Sequence, residues 1–447
     1  MQQETGYFGY TSAWLCDADG CFETIPVVTF DFPRVLDGWI PGLTITWSTA
    51  YGEWATQFRI TAYNSENVVF SRVVDNDNLV TVMEGDIQVY TKITLKILKW
   101  SVPLRRARLE SIVFGIEKTY GKSEIMDYTA TMSVNPLSAE LPKSEIKFGI
   151  KNLDGKYNPD NPAGAEKYLM ERQRVSVKYG YQLEDTVEWI PGGIFYLSEW
   201  VTPQNGITAT FTARDALEFM TDIYTSETSG TLYKIANAAF EQANLPSLDG
   251  GRKCWEIHPY LQHILVPEPV DLKDDTIAEV LQCVANAACC VLYQDRYGVF
   301  HIKPLAMQTV DYAIDRFNSY SDSELVLSKP LKAVDINRGR YILPVNRNGE
   351  TQPITNPFIT SEQAPVVADW VSQYLTNRRT LSGAFRADPR LDPLDIITNT
   401  NRFSESHVIV TEVKFSYNGA FGGSYKGRGT DKIRDNYCAG EVYAGEV

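Results

Sequence analysis

The sequence predicts a mainly β protein with α+β parts: an N-terminal jelly-roll-like β-sandwich, then two β-barrels separated by a small α/β domain. Three observations predict it. Apolar and polar residues alternate with period two over most of the chain, between clusters of Asn, Asp, Gly and Pro, which is the pattern of half-buried strands joined by turns. The period lengthens to three and four in the middle of the chain, where two amphipathic helices fit. A short repeat links two of the β-rich regions.

At 447 residues the chain exceeds what one core serves, since single cores stop growing near roughly 250–300 residues. The expected domains are the sandwich at 1–118, the first barrel at 119–225, the α/β domain at 226–320 and the second barrel, with one helix and a flexible tail, at 321–447. In the sandwich the runs "LTITW", "QFRITAY", "VVFSRVV" and "ITLKILKW" alternate, and no helix is expected. The next region is interrupted by "NLDGKYNPDNPAG", whose Asn, Asp, Gly and Pro make a long turn. It then runs through "GGIFYLSEWVTPQNGITATFTARDALEFM": a strand, a connection at Asn205 and Gly206, a second strand, and a short helix with Asp215 at its N-cap.

In the third region "TLYKIANAAFEQANL" and "DTIAEVLQCVANAACC" read as helices, with Thr276 and Glu279 forming a capping box. "CCVLYQDRYGVFHIKPL" follows as a hairpin turning at Asp295 to Gly298. The last region holds one helix, "SEQAPVVADWVSQYLTNRR", with Ser361 as candidate N-cap and Pro365 near the first turn. The tail beyond Asp431 is expected to be loosely held. The repeat pairs Ser198-Glu199, Asn205-Gly206 and Arg214 with Thr411-Glu412, Asn418-Gly419 and Arg428; Glu and Asn are six apart in both, Gly and Arg eight and nine apart.

A net charge of −14 and the lack of a long Lys/Arg run argue against nucleic acid and anionic lipid as partners. The start of the sequence shows no signal peptide. The most apolar stretch, "VLQCVANAACCVLY", is too short and too polar to span a bilayer. Seven cysteines, three of them (Cys283, Cys289, Cys290) in an apolar run, fit reduced thiols. Cys16 and Cys21 could instead close a small disulfide or give half of a zinc site, but no second pair with metal spacing follows.

The stretch "FRADPRLDPLDII" gathers Arg386, Asp388, Arg390, Asp392 and Asp395. Pro393 bars a helix that would align the carboxylates, and Asp388 and Asp392 each precede a proline, which favours extended backbone. The favoured reading is a structural corner whose carboxylates accept backbone N–H bonds or pair with Arg386 and Arg390; the alternative is a hard-cation site. Four histidines, His258, His263, His301 and His407, stand in no catalytic spacing, and GxSxG, P-loop and GxGxxG motifs are missing. Pairs such as Glu140 with Glu145, or Glu184 with Glu188, carry no information in an acidic chain. No catalytic, cofactor or metal residue is therefore assigned, and an enzyme is disfavoured. "WSTAYGEWATQF" brings Trp47, Tyr51 and Trp54 together, either as an exposed platform for a glycan or partner, or as core and domain-interface aromatics.

From about Tyr128 onward, the stretches "NLDGKYNPDNP", "PGGIFYLSEW", "NGITATFTARDALEFM", "TIAEVLQCVANAACCVLYQDRYGVFHIKP", "NPFITSEQAPVVADWVSQYL", "FRADPRLDPLDIIT" and "VTEVKFSYNGAFGGSYKGR" occur in an order that resembles tail hub and baseplate proteins of bacteriophages and prophages. The resemblance implies a homotrimer in which two related barrels per chain make a ring of pseudo-sixfold symmetry, located in the virion tail. It implies tail tube or distal tail proteins and other baseplate or fibre subunits as partners, no cofactor, and no enzymatic activity. The N-terminal sandwich departs from the simplest hub pattern, and leaves neighbouring baseplate proteins, fibres or host-surface carbohydrate as its contacts.

Overall fold

The computed structural model describes residues 9–37, 40–115, 118–158, 161, 172–184, 186–203, 207–245, 253–305, 312–343, 349–400 and 405–430. The expected turn at Asn205 and Gly206 and the tail beyond Asp431 lie outside them. The chain divides into two compact units, Met1–Gly121 and Lys122–Val447.

Among its described residues the first unit has strands and no helix: β1 (Tyr10–Leu15), β2 (Val27–Leu36), β3 (Ile40–Thr46), β4 (Ala55–Asn64), β5 (Asn67–Asp75), β6 (Val80–Ile87), β7 (Tyr90–Trp100), β8 (Arg106–Leu109) and β9 (Ser111–Phe114). One sheet has the order β2-β7-β4-β5, a second β6-β3-β9, and β1 pairs with β8. Alternation in the sequence decides which residues face inward. Phe58, Ile60 and Ala62 of β4 and Ile93, Leu95 and Ile97 of β7 share one fully buried core with Leu43 and Ile45 of β3. The unit is therefore the expected two-layer sandwich.

The second unit begins with β10 (Ile125–Ser133), β11 (Lys143–Lys151), β12 (Arg174–Gln182), β13 (Val187–Val201) and β14 (Thr208–Arg214). Its middle contains β15 (Gly230–Thr231), α1 (Leu232–Ala243), β16 (Trp255–Ile257), β17 (Leu265–Val266), α2 (Ile277–Ala287), β18 (Cys290–Gln294) and β19 (Phe300–Pro304). Then follow β20 (Tyr312–Ile314), β21 (Glu324–Leu327), β22 (Leu331–Ile336), β23 (Gly339–Ile342), β24 (Glu350–Ile354) and α3 (Ala364–Leu375). The described part closes with β25 (Arg379–Phe385), β26 (Ile396–Thr400), β27 (Glu405–Tyr417) and β28 (Phe421–Thr430).

The two central helices are set by the spacing read in the sequence. Ile235, Ala239 and Phe240 of α1 meet Ile277, Leu281 and Val284 of α2 in one core, and Thr276 and Glu279 form the expected capping box. Asp215 caps the short 3-10 helix Ala216–Phe219, accepting from the Leu217 N–H at 3.1 Å while its other oxygen accepts from Ser144 at 2.7 Å.

Helix α3 differs from expectation in two ways. Its N-cap is Gln363, not Ser361, because the chain first makes a turn in which Thr360 accepts from Gln363 N–H at 3.3 Å. Its apolar stripe, Val367, Ala368 and Val371, joins the core of α1 and α2 together with Val334 and Ile336 of β22. Buried Asn356 fastens this connection, its amide donating to the Cys283 carbonyl at 2.7 Å and to Asn286 Oδ1 at 3.2 Å.

Candidate functional site

The strands of the second unit contain the same arrangement twice. Strands β10, β11, β12, β13 and β14 lie in the order β12-β13-β14-β11-β10; strands β21, β25, β26, β27 and β28 lie in the order β26-β27-β28-β25-β21. Numbered one to five within each copy, both read 3-4-5-2-1, with every neighbour antiparallel. The segment from β22 to α3 is an insertion between the first and second strands of the second copy.

The copies agree in local detail. In each, the register between the fourth and fifth strands shifts at one residue, Ser198 in the first and Thr411 in the second. The extra residue of each bulge carries a hydroxyl, which donates across the ladder to the carbonyl of Thr212 at 3.4 Å or of Lys426 at 3.1 Å. The chain enters each third strand through a residue of positive φ, Arg172 at 63° and Leu394 at 77°. Their N–H groups donate to Leu197 O at 2.9 Å and to Val410 O at 2.7 Å. Superimposing the registers pairs Glu199 with Glu412 and Arg214 with Arg428, the residues of the sequence repeat.

Side chains diverge where surroundings differ. Arg214 lies opposite Glu145 and pairs with it at 3.0 Å. The equivalent partner of Arg428 is Thr380, and its guanidinium instead donates to the carbonyls of Leu375 and Asn377 at the end of α3, at 3.3 and 3.0 Å.

The copies join through β27. Its first half pairs with β26, from Ile396 opposite Ile409 to Thr400 opposite Glu405. Beyond the bulge the same edge pairs with β10, from Ser133 opposite Glu412 to Tyr128 opposite Tyr417. With β20, which pairs parallel with β26, the ten strands of the two copies make one eleven-stranded sheet. Ala130, Ile146, Phe195 and Ala213 of the first copy share its core with Leu381, Val413 and Phe415 of the second.

Two edges corresponding to this junction are free among the described residues. β21, the counterpart of β10, pairs only with β25. Past its bulge, β13, the counterpart of β27, pairs at Glu199–Val201 only with β14. Both edges are apolar: Leu325, Val326, Leu327 and Val201 are exposed.

The Asp-Pro segment forms the corner that leads into β26. Asp388 pairs with Arg390 at 2.6 Å and accepts its N–H at 3.0 Å, and Asp395 accepts the N–H of Asp392 at 2.8 Å. Arg390 holds the Asp388 carboxyl below the usual carboxylate range, against the opposing effect of burial. Asp392 pairs with neither neighbouring arginine. Its partner is Arg296, at 2.6 Å, whose guanidinium also donates to the carbonyls of Pro389 and Arg390 at 3.2 and 2.9 Å. Burial nevertheless pushes Asp392 up to about 6. Arg386 enters the corner through its backbone, donating to Asn318 O at 2.6 Å. Arg296 lies outside the motif, in the hairpin turn between β18 and β19, where no local pattern marks it as the partner of Asp392.

The aromatic cluster of the first unit does not make one exposed face. Trp47 is fully buried, its indole N–H donating to Thr81 Oγ1 at 2.8 Å. Trp54 is half-buried against the same core. Tyr51 is exposed, with the Arg108 guanidinium 4.2 Å from its ring centre. Among the titratable clusters, His301 lies 3.0 Å from Asp295 and 3.3 Å from Glu256, stacked on Tyr293, and braces the β18–β19 hairpin. Cys16 and Cys21 are both free rather than bonded to each other. Burial pushes the thiols of Cys283, Cys289 and Cys290 up to about 12, so they stay protonated.

No protein-family model matches this chain, and no curated protein matches it. Among solved structures, the tail protein from Neisseria meningitidis MC58 is similar at 11% identity over 68% of this chain and 92% of that one, with a TM-score of 0.45. The 43 kDa tail protein of prophage MuSo2 from Shewanella oneidensis is similar at 15% identity over 71% and 95%, with a TM-score of 0.46. A type VI secretion system component of E. coli, itself described as similar to the T4 tail proteins gp27 and gp5, is similar at 10% identity over 69% and 74%, with a TM-score of 0.42.

Proposed function

We propose that the chain is a non-enzymatic structural component of a phage or phage-like tail tip or baseplate, a trimeric hub of pseudo-sixfold symmetry that joins the tail tube to the tip. The observation that carries this reading is the duplicated five-stranded arrangement, 3-4-5-2-1 in both copies. Three chains with two like units each present six similar positions around an axis, which reconciles a sixfold partner with a threefold assembly. The sequence resemblance to tail hubs points the same way, and the apolar free edges are what such an assembly would cover.

The role is mechanical: main-chain ladders and packed cores transmit position, and no step requires a reacting group. Partners would be tail tube or distal tail proteins at one face and fibre or baseplate subunits elsewhere. Light scattering of the purified chain combined with negative-stain electron microscopy tests the reading. Rings of three chains showing six lobes are expected. A monomer at all concentrations that joins no tail component overturns it.

A further inference from the structure

The junction inside one chain specifies how the next chain would dock, and this inference rests on the trimer reading above. We infer that β21 of one copy adds to the free edge of β13 of a second copy of this chain, antiparallel, in the register that β10 and β27 already use. Within the chain, Ala130 lies opposite Phe415, Thr131 opposite Lys414, Met132 opposite Val413 and Ser133 opposite Glu412. The ladders to β25 and β28 give the counterparts. Thr131 and Val326 face the equivalent residues Glu145 and Thr380, and Glu412 and Glu199 follow the equivalent bulges. The intermolecular register is therefore Leu325 opposite Thr202, Val326 opposite Val201, Leu327 opposite Trp200, and Ser328 opposite Glu199 of the partner copy.

Burial supports this occupant. At the internal junction Ala130 and Val413 are fully buried. Their counterparts at the free edges, Leu325 and Trp200, are 47% exposed and half-buried. Val326 and Val201, which the register sets face to face, are 61% and 60% exposed. An apolar strand with one unpaired ladder is a template for strand addition, and the chain itself contains a worked example of the strand that fits. The pairing is head-to-tail, so each chain offers one β21 and one β13, and the array closes only if the rotation allows.

Paired cysteines test the register in a background with Cys21→Ser and Cys438→Ser. The full chain with Val201→Cys and Val326→Cys is expected to give covalent trimers on mild oxidation, and Leu325→Cys with Thr202→Cys provides the neighbouring rung. Val326→Cys with Glu199→Cys, two residues out of register, is expected to give less than a tenth of that yield. Mixing a Val201→Cys chain with a Val326→Cys chain should stop at covalent dimers. As a second measurement, Val326→Lys should convert trimers to monomers whose far-ultraviolet circular dichroism is unchanged, with a melting temperature lowered to a value independent of protein concentration. Trimers in light scattering without in-register crosslinks, and insensitive to Val326→Lys, overturn this interface and leave the hub reading standing. A chain that is monomeric by light scattering and forms no crosslinks overturns both, and crosslinked open filaments overturn the closed ring alone.

Discussion

Arg172 and Leu394, separated by most of the second unit, hold the same left-handed backbone conformation and make the same hydrogen bond to a fourth-strand carbonyl. Neither is a glycine, so each carries the crowding of a Cβ at positive φ, which costs about 1 kcal/mol. A β-branched residue suffers most there. Arg172→Val is therefore expected to be less stable than Arg172→Gly by about 1 kcal/mol in urea unfolding, the reverse of the order in an ordinary strand. The same order should hold at Leu394 by a smaller margin, because valine keeps part of the packing of a half-buried leucine.

Arg296 is the long-range fastener of the Asp-Pro corner. Arg296→Met should cost about 2–4 kcal/mol, since it leaves Asp392 and the carbonyls of Pro191, Pro389 and Arg390 without their donor. Arg296→Lys should recover less than half of that, because one ammonium cannot reproduce the planar fork. If the corner instead served a cation, Asp392→Asn would alter calcium binding in calorimetry; no heat of binding is expected with either form.

Asp215 sets a pH dependence. Burial pushes its carboxyl up to about 7 despite the N–H bonds from Ser144 and Leu217, from an ordinary value of 3.8. The folded state thus binds this proton more tightly than the unfolded chain does. Its contribution to stability is complete below about pH 4 and is lost as pH rises through about 7, a change of a few kcal/mol. Asp215→Asn keeps an acceptor at the cap and removes the charge, so denaturation midpoints measured from pH 4 to 8 should flatten, with the variant relatively more stable at the upper end.

Trp47 anchors the sandwich. Trp47→Ala should destabilise the first unit by about 3–5 kcal/mol, whereas Tyr51→Ala, which removes an exposed ring, should shift stability by less than about 1 kcal/mol. Differential scanning calorimetry of the full chain would read both.

The alternating runs of the sandwich, the two central helices and the strand pairs around Glu199 and Glu412 were legible because each rests on local periodicity or a local turn. The Asp-Pro corner was legible for the same reason: proline restricts its own neighbours. Arg296 was not, since nothing in "QDRYG" announces a partner 96 residues away. The full extent of the duplication was hidden too. "IMDYTATMS" and "ELVL" share no residue pattern, and only the ladder identifies β10 and β21 as counterparts. The placement of α3 follows from which core its stripe enters, a tertiary choice its own periodicity cannot express. Among the aromatics, spacing alone could not separate an exposed ring from a buried one.

One edge of β27 pairs with β26 of its own copy along its near half and with β10 of the other copy along its far half. Neither copy can melt without stripping the other of a neighbour, so the two should come apart in one cooperative step. A force pulling them apart along the strands must shear every rung between Glu412 and Tyr417 together, a geometry far stronger than unzipping rungs one at a time.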